Sequence, residues 1–492
     1  MKTYRNKIKN ITLFMLVVFM TNACSDDFLE ETKRYSQDSE SYFNSEEEYY
    51  NALVGAYDVL QSTYVNVLLG EIASNNTLCG GESATDVPGF QQIDNMTHTQ
   101  VNSNLRDIWN WMYAGVNRTN YIMEFEDKTN FEGKEIIIGE TRFLRAYFYF
   151  ELVKWFGEVP MKEVRFQLED ETTVPRSPVE DVYGLIERDL QYAVDNLTYT
   201  APQIGRATKG SAQALLGKVY LYQDKFSEAA VVLSTLIDEG PYDLVEDYDQ
   251  IFEFSGENGI ESVFEVQYTD VEGAGFECLQ CSEGNVAVGF SGIRNYSGPQ
   301  FSSGFSFNIP TQEVVDEFED GDLRKDVAIL DIEAWAAQTG ATYGTGYEHT
   351  GYFNRKYLPR VRSDEAAGDL NLTNPNNYRA IRFADVLLMA AEAYNRGDIS
   401  DVTARNYLNR VRQRAFNDEN HNVTVSGDAL TQAIYHERRV ELVGEGHQFF
   451  DLVRTGRGTD IEGFTPNKNE VFPIPIEEIQ FSNGNWQQNQ GY

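Results

Sequence analysis

Residues 212–237 have the sequence AQALLGKVYLYQDKFSEAAVVLSTLI, and this stretch decides the fold class. Residues 216–220 (LGKVY), followed by Phe226 and Ala229, match the L-G-x-x-Y spacing of tetratricopeptide repeats, in which two helices form one unit. Such a unit cannot bury its apolar face alone, so several pairs must stack on one another. The stretch therefore predicts a mainly α-helical protein built on a curved scaffold of tetratricopeptide-like helical pairs.

Further helices are predicted on both sides of this stretch. Residues 45–48 (SEEE) form a capping box that should start a helix, and residues 144–155 keep a helical apolar period. In residues 177–180 (SPVE), Ser177 should be the N-cap, with proline at the first helical position and glutamate at the third. A second, looser helical pair is predicted over residues 383–415.

Between these helices the chain changes character. Residues 240–375 are rich in Gly, Ser, Asn and aromatic residues and contain only one clear strand pattern, Ser262 to Tyr268, and residues 63–98 are similarly irregular. Long loops in a compact protein are usually functional or disordered, and the aromatic content argues against disorder. We expect residues 46–492 to form a single domain with few short strands, in which residues 240–375 are a loop-rich insert; the family resemblance described below implies that this insert is the variable part that binds the ligand.

The N-terminus predicts export and a lipid anchor. Residues 1–23 combine four basic residues with an apolar run that is shorter than the roughly 20 residues a membrane span needs, so they predict a signal peptide. Residues 21–24 (TNAC) resemble a bacterial lipobox, in which Cys24 would become the acylated N-terminus. Residues 24–45 would then be the lipidated N-terminus and its tether. The alternative is an ordinary secreted protein in which Cys24 has no special role.

The net charge of the chain limits the classes of molecule that it can bind. The chain has 77 acidic and 40 basic residues, a formal net charge of -37. Such a field repels nucleic acid and anionic membrane surfaces, and it weakly disfavours polyanionic glycans such as alginate. We therefore expect no nucleic-acid partner and a mild preference for neutral ligands.

Three cysteines remain besides Cys24. In an exported protein a disulfide can form, and the spacing of Cys278 and Cys281 also occurs in redox and zinc motifs. A zinc site would need two further Cys or His ligands, and no histidine lies within sixty residues of this pair. We expect either a disulfide or core thiols, and we expect no metal ion and no cofactor.

Four blocks of sequence are distributed along the chain: residues 142–160 (RFLRAYFYFELVKWFGEVP), residues 207–210 (ATKG), residues 435–454 (YHERRVELVGEGHQFFDLVR) and residues 472–492, which begin with FPIP and end with QNQGY. These blocks resemble the SusD/RagB family of Bacteroidetes outer-membrane lipoproteins. One departure is Gln490, where the family often has proline, and we expect it to matter little.

The resemblance implies both a fold and a function. It implies a helical protein with four tetratricopeptide-like pairs that caps a SusC-like TonB-dependent transporter as a hinged lid and delivers glycans into it. It also implies a lipid anchor at Cys24, a location at the cell surface on the outer membrane, and residues 25–27 (SDD) as the surface-export signal. The alternatives are a peptide-capturing lid of the RagB type and a surface protein without a role in transport.

A catalytic role is weighed against a structural one. His436 and the neighbouring carboxylates could act as an acid–base site, but Glu437, Arg438 and Glu441 have helical spacings that permit ion pairs, and the resemblance places them on structural helices. A glycosidase needs two carboxylates roughly 5–10 Å apart, which a sequence with this many acids cannot exclude. The recognisable motifs belong to a scaffold, however, and no nucleophile elbow, zinc-protease helix or phosphate loop is present. We expect a binding protein with no catalytic residues.

Glycan capture requires aromatic faces that stack on sugar rings, next to polar groups that bond hydroxyls. The irregular loops supply the candidates Asn75, Asn76, Asp86, Phe90, Gln92, Arg294, Tyr296, Phe301, Trp335, Tyr343 and Tyr347. Trp335, flanked by alanines, is the strongest of the aromatic ones, and ordinary packing is the alternative for each ring. Trp109 and Trp111, on a helix expected over residues 104–127, are assigned to the core. The expected ligand is a neutral polysaccharide or oligosaccharide, with a β-glucan or a fructan as the first candidates.

Overall fold

The computed structural model describes residues 42–492, apart from Leu168, Ala274 and residues 363–365. The signal peptide, Cys24 and nearly all of the tether therefore lie outside the described residues. Helices dominate the described part and its strands are short, which confirms the mainly α-helical fold class. None of its helices is both long enough and apolar enough to cross a lipid bilayer.

The helices follow one another along the chain with irregular segments and short 3₁₀ turns between them. They are α1 (Glu46–Asp58), α2 (Tyr64–Ile72), α3 (Pro88–Asp94), α4 (Ser103–Glu124), α5 (Lys134–Phe156), α6 (Asp170–Thr173), α7 (Val179–Asn196), α8 (Lys209–Leu221), α9 (Phe226–Glu239), α10 (Val286–Ser291), α11 (Gln312–Asp316), α12 (Lys325–Ala328), α13 (Ile332–Thr339), α14 (Phe383–Arg396), α15 (Asp401–Phe416), α16 (Asp428–Leu442), α17 (Gln448–Arg454) and α18 (Ile476–Phe481).

The strands form small two-stranded pairs in place of a large sheet. They are β1 (Thr77–Leu78), β2 (Val159–Pro160), β3 (Arg176–Ser177), β4 (Ser262–Val266), β5 (Ile293–Arg294), β6 (Ser303–Gly304), β7 (Ile309–Pro310), β8 (Ile329–Asp331), β9 (Tyr352–Asn354) and β10 (Tyr378–Arg382). Four pairs are antiparallel, namely β1–β7, β2–β3, β4–β10 and β8–β9, and β5–β6 is parallel.

The long helices pack as a continuous series. Helix α4 lies against α5, α5 against α7, α7 against α8, α8 against α9, α9 against α14, and α14 against α15. The pair predicted from residues 212–237 is α8 with α9, and at Gly217 an added Cβ would lie 2.4 Å from Leu233 Cδ2, so the close approach of these two helices requires glycine. Helices α14 and α15 are the second predicted pair. Both predictions are confirmed.

The helix starts were predicted with mixed success. Ser45 caps α1, and its hydroxyl accepts from the amide of Glu48. The predicted cap at Ser177 is wrong, because Ser177 pairs with Val159 in the β2–β3 ladder and α7 begins only at Val179. A residue that precedes proline is biased toward extended backbone, which suits an N-cap and a strand equally, so the pairing with Val159 decides the conformation at this position.

An arginine on α5 joins two scaffold helices. Arg145 is buried, and its guanidinium donates through Nε and Nη2 to the two carboxylate oxygens of Asp189 on α7, at 2.6 and 2.8 Å. Its Nη1 donates to Asn120 on α4 at 3.1 Å. Paired hydrogen bonds of this kind fix orientation as well as distance, so this one side chain sets how α4, α5 and α7 lie together.

The block at residues 435–454 forms α16, a turn and α17, and its acids enter a buried ionic network. Glu441 accepts hydrogen bonds from Arg324 at 2.9 Å, from Arg382 at 2.8 Å and from Arg414 at 2.7 Å. Burial alone would raise the pKa of Glu441, but the three guanidinium groups outweigh it and hold the pKa well below its usual range. The carboxylate is therefore charged at every physiological pH.

The same network reaches into the irregular insert. Glu445 accepts from Lys356 at 2.8 Å and from Arg382 at 2.7 Å. Burial lowers the pKa of Lys356 to about 8, although the charge of Glu445 partly opposes this. Because Lys356 and Arg324 lie in the insert while Arg382, Glu441 and Glu445 lie on or beside scaffold elements, the network attaches the insert to the helical scaffold. The ionic contacts of Glu437 and Glu441 support the structural interpretation of this block.

We expect Glu441→Gln to lower the free energy of unfolding by about 3–5 kcal/mol, because removing one member of a buried ionic network leaves its partners without compensating charge. Chemical denaturation followed by circular dichroism measures this. Glu239→Gln, at an exposed position in the last turn of α9, is the matched control and should change stability by less than about 0.5 kcal/mol. Equal stability of the two variants would contradict the role given to Glu441.

Candidate functional site

Three irregular segments meet around the β5–β6 pair. The amide of Gly81 donates to the carbonyl of Ser306 at 2.8 Å, and the amide of Tyr347 donates to the carbonyl of Gly81 at 2.9 Å. The amide of Gly344 donates to the carbonyl of Arg294 at 2.8 Å. We call the surface formed by residues 80–86, 293–306 and 343–348 the loop surface. Backbone hydrogen bonds hold it together, so its shape does not require regular secondary structure.

Gly81 is needed where the first two segments cross. Its φ is +93°, and a Cβ at this position would lie 2.7 Å from the ring of Phe307. Positive φ values of this size are readily adopted only by glycine. The crossing of residues 80–86 over the β6 region therefore depends on this residue.

Arg294 lies at the centre of the loop surface. Its Nη2 donates to the carbonyl of Phe305 at 3.0 Å and to Asp86 Oδ2 at 3.4 Å, and its Nη1 lies 3.9 Å from a carboxylate oxygen of Glu82. Its Nε is buried and has no hydrogen-bond partner among the described residues. Two carboxylates therefore offset the guanidinium charge. Because Nε is buried while the side chain as a whole is 18% exposed, a polar ligand can be reached only by the Nη atoms.

Acidic residues border the loop surface on the side of Tyr347. Burial, together with the smaller effects of the charges of Glu348 and Glu462, raises the pKa of Asp94 to about 7. The pKa of Tyr347 is also raised, first by its hydrogen bond to Glu348 and then by the charge of that carboxylate. Apart from Arg294, the residues named around this surface are neutral or acidic, which disfavours anionic ligands.

An exposed phenylalanine that the sequence did not single out extends this surface. Phe276 is 60% exposed, and its ring meets the ring of Phe305 edge to face, with the centroids 5.9 Å apart. Phe305 in turn lies next to Phe290. The only sequence signal for Phe276 is its position two residues before Cys278.

Cys278 forms a disulfide with Cys281. The sequence left open whether these cysteines form a disulfide or remain core thiols, and the structure shows the disulfide.

Several predicted aromatic residues form a second cluster. Trp335 on α13 donates from Nε1 to the hydroxyl of Tyr296 at 2.9 Å, and its ring lies 5.5 Å from that of Phe301. Tyr343 packs against the same cluster. Tyr296 and Phe301 are buried, whereas Trp335 and Tyr343 are partly exposed. Only Trp335 and Tyr343 can therefore offer part of a ring to a ligand here.

Four predicted ligand contacts are buried, which corrects their assignment to the site. Besides Tyr296 and Phe301, these are Asn76 and Phe90. Asn76 accepts from Arg439 at 2.9 Å, and the ring of Phe90 packs on those of Phe290 and Phe307. A buried ring or amide has no face to present to a sugar, so these four side chains support the fold instead.

Two further candidates lie apart from the loop surface. Asn75 bonds Glu313 and Gln448, at the far end of the β1–β7 ladder. Gln92 accepts from Asn102 at 3.1 Å and so faces the start of α4. The structure therefore brings together Asp86, Arg294 and Tyr347 and leaves Asn75 and Gln92 elsewhere. Trp109 is buried and Trp111 packs partly buried against the core, as predicted for both.

Two grooves flank residues 203–206 on the scaffold. Their volumes are about 380 and 390 Å³, and they share Gln203, Ile204 and Arg206 as walls. Ile204 is 80% exposed between them. Within residues 42–492 as described, no three His, Cys, Asp or Glu side chains are arranged to hold a metal ion.

Comparisons with known proteins match nearly the whole chain. A family profile described as "SusD family" matches residues 261–492, and one described as "Starch-binding associating with outer membrane" matches residues 27–221. A curated relative, SusD-like protein P2 of Formosa agariphila, is 27% identical over 431 residues, which cover 82% of this chain and 83% of that protein.

Solved structures of glycan-binding proteins share the fold. A structure titled "Laminarin binding SusD-like protein" has a TM-score of 0.84 and 34% identity, and it covers 92% of this chain and 100% of its own. Surface glycan-binding protein A from Bacteroides thetaiotaomicron in complex with laminarihexaose has a TM-score of 0.80 and 25% identity, covering 90% of this chain and 99% of its own.

The raised pKa of Asp94 gives a testable dependence of stability on pH. Because the folded-state pKa of about 7 exceeds the reference value of 3.8, this group reduces stability progressively as pH rises between those two values. Asp94→Asn should therefore change the free energy of unfolding little at pH 4 and raise it by on the order of 1–4 kcal/mol at pH 8. Thermal unfolding at both pH values measures the difference, with the exposed Asp320→Asn as control. A gain that is the same at both pH values would contradict the prediction.

Proposed function

This chain belongs to the SusD family, and on that premise we propose that it captures a neutral glycan at the cell surface and delivers it to a SusC-like TonB-dependent transporter. The proteins that it matches are glycan-binding proteins and not enzymes, so its own role is binding without catalysis.

One observation carries the choice of the loop surface as the capture site. The side chain of Arg294 is 18% exposed, and it lies in the loop surface together with the partly exposed Tyr347 and with the half-buried Phe305, whose ring contacts that of the exposed Phe276. A sugar presents hydroxyl oxygens next to an apolar ring face, so it needs a donor and an aromatic ring at adjacent positions. We propose Asp86, Arg294 and Tyr347 as ligand contacts, with Trp335 and Tyr343 as a second stacking position.

The first ligand that we propose is laminarin, a β-glucan. Two structural neighbours carry laminarin or laminarihexaose in their titles, and one of them is 34% identical to this chain. A fructan remains the second choice among neutral polysaccharides. The carboxylates of Asp86, Glu82 and Glu348 support a neutral ligand, because they would repel the charged groups of an anionic glycan at contact distance.

We also propose how the protein is organised and anchored. Residues 46–492 would act as one domain with residues 240–375 as its ligand-binding insert, since one core cluster extends from Phe43 to Trp486. Cys24 would carry the lipid that anchors the chain to the outer membrane, facing outward. The family description that mentions association with the outer membrane supports this location.

A second candidate function is peptide capture, as in a RagB-like lid. The exposed Ile204 between two grooves favours it, because an apolar side chain next to grooves of this size suits a peptide better than a flat aromatic surface does. The two functions require different surfaces, so variants at the loop surface distinguish them.

Isothermal calorimetry of the protein without its first 24 residues tests the proposed function. We expect heat of binding with laminarin, no release of shorter sugars and no binding of alginate. Arg294→Ala should weaken laminarin binding about tenfold or more, because a charge-assisted hydrogen bond is worth roughly 1.5–3 kcal/mol. Arg188→Ala, at an exposed arginine on α7, is the control and should bind like the wild type. If calorimetry shows binding of peptides but no binding of laminarin, levan, inulin, starch, xylan or mannan, the second candidate function is favoured.

Replacement of the proposed acylated residue tests the anchor. Cys24→Ala should leave the protein unlipidated and absent from the cell surface, because a lipid chain attached to that thiol is what would hold it there. Protease accessibility on intact cells measures surface display, and immunoblots of whole cells control for expression. Normal display of the variant would refute the anchor at Cys24.

A further inference from the structure

Phe276 is exposed in an unusual setting for a large apolar side chain. Single exposed apolar residues are common on protein surfaces and need no explanation alone. This ring, however, contacts Phe305, whose carbonyl accepts a hydrogen bond from Arg294 at 3.0 Å. Phe276 thus contacts a residue whose carbonyl is hydrogen-bonded to the arginine at the centre of the loop surface, and 60% of its own surface is exposed.

The segment after Phe276 is held in place at several points. The Cys278–Cys281 disulfide closes a small ring, and Leu279 inside that ring packs against the core. Gln280 donates to Asp107 on α4 at 3.1 Å, and the amide of Thr269 donates to the carbonyl of Glu283 at 2.8 Å, which closes the base of the loop. These contacts fix the chain immediately C-terminal to Phe276.

On the other side of Phe276 the chain is anchored further away, at Gly273, where an added Cβ would lie 2.2 Å from the Cα of Gly368. Gly275 directly precedes Phe276, and glycine loses more conformational freedom on ordering than any other residue. An exposed ring also gains little from burial that would hold it in one position. The position of the Phe276 ring therefore depends chiefly on the closed segment that follows it, which the Cys278–Cys281 disulfide holds covalently.

We propose that Phe276 is an additional sugar-stacking residue and that the Cys278–Cys281 disulfide acts as its positioning element. This inference rests on the proposed glycan-binding function. The disulfide holds the loop so that the ring extends the platform next to Arg294, where it covers the apolar face of a sugar whose hydroxyl meets the guanidinium. Cys79, the remaining described cysteine, is buried as a free thiol and has no part in this arrangement.

Calorimetry with laminarin tests the proposal on four proteins: the wild type, Phe276→Ala, Cys278→Ser with Cys281→Ser, and the three substitutions combined. We expect Phe276→Ala to weaken binding roughly five- to thirtyfold, in line with the loss of one aromatic contact. The double serine variant should weaken it by a similar factor and should still unfold in one cooperative thermal transition, which shows that the fold is intact. The triple variant should bind no more weakly than Phe276→Ala, because the disulfide acts through that ring.

The control is Phe481→Ala, at a phenylalanine on α18 that is 59% exposed, and it should bind laminarin like the wild type. Wild-type affinity in Phe276→Ala overturns the role of the ring. Weakening in Phe276→Ala but not in the double serine variant overturns the role of the disulfide, as does additive loss in the triple variant. If the wild type binds laminarin and every variant binds it with the same affinity, the proposed function stands and this inference is refuted. A wild type that binds no glycan contradicts the proposed function and this inference with it.

Discussion

The carboxylate of Glu441 receives hydrogen bonds from arginines in three separate parts of the chain: the irregular insert, the end of β10 and helix α15. Buried charges are costly unless they are paired and hydrogen-bonded, so these segments cannot move apart without exposing or isolating a charge. Glu445 repeats the arrangement with Lys356 and Arg382. This network, together with the β4–β10 pair and the shared hydrophobic core, fixes the position of the insert relative to the helices.

The loop surface depends on that network in turn. Residues 293–306 and 343–348 lie in the insert, and their hydrogen bonds to one another and to residues 80–86 define a shape without a sheet or a long helix beneath it. Such a surface keeps its geometry only if its base is fixed to something rigid. The scaffold supplies the rigidity through buried ion pairs, and the loops supply the chemistry through Arg294, Tyr347 and the adjacent rings.

The parts of the structure that the sequence predicted correctly are those with a period. Residues 212–237 repeat apolar positions at helical spacing, and they form α8 and α9. The start of α7 was misplaced because a tertiary strand pairing at Ser177 overrode a local capping signal. The loops have no repeating apolar pattern, so the type of each residue was the only basis for predicting whether its side chain is exposed. This basis failed for Phe301, which is buried, and it missed Phe276, which is exposed. Phe90 is also buried, and it lies on the short helix α3 in a region predicted to be irregular. Burial in an irregular segment is decided by distant contacts that a single sequence does not display.

The two kinds of charge in this molecule respond differently to dissolved salt. Mobile ions screen the field of the acidic exterior, whose reach falls from about 10 Å at 0.1 M to about 3 Å at 1 M ionic strength. They cannot enter the buried network around Glu441, whose side chain is fully enclosed. In brine the molecule would therefore keep its internal architecture while losing most of its long-range repulsion of anions. Discrimination against charged polymers would then fall to the few carboxylates that touch the polymer, beginning with Asp86 and Glu82 beside Arg294.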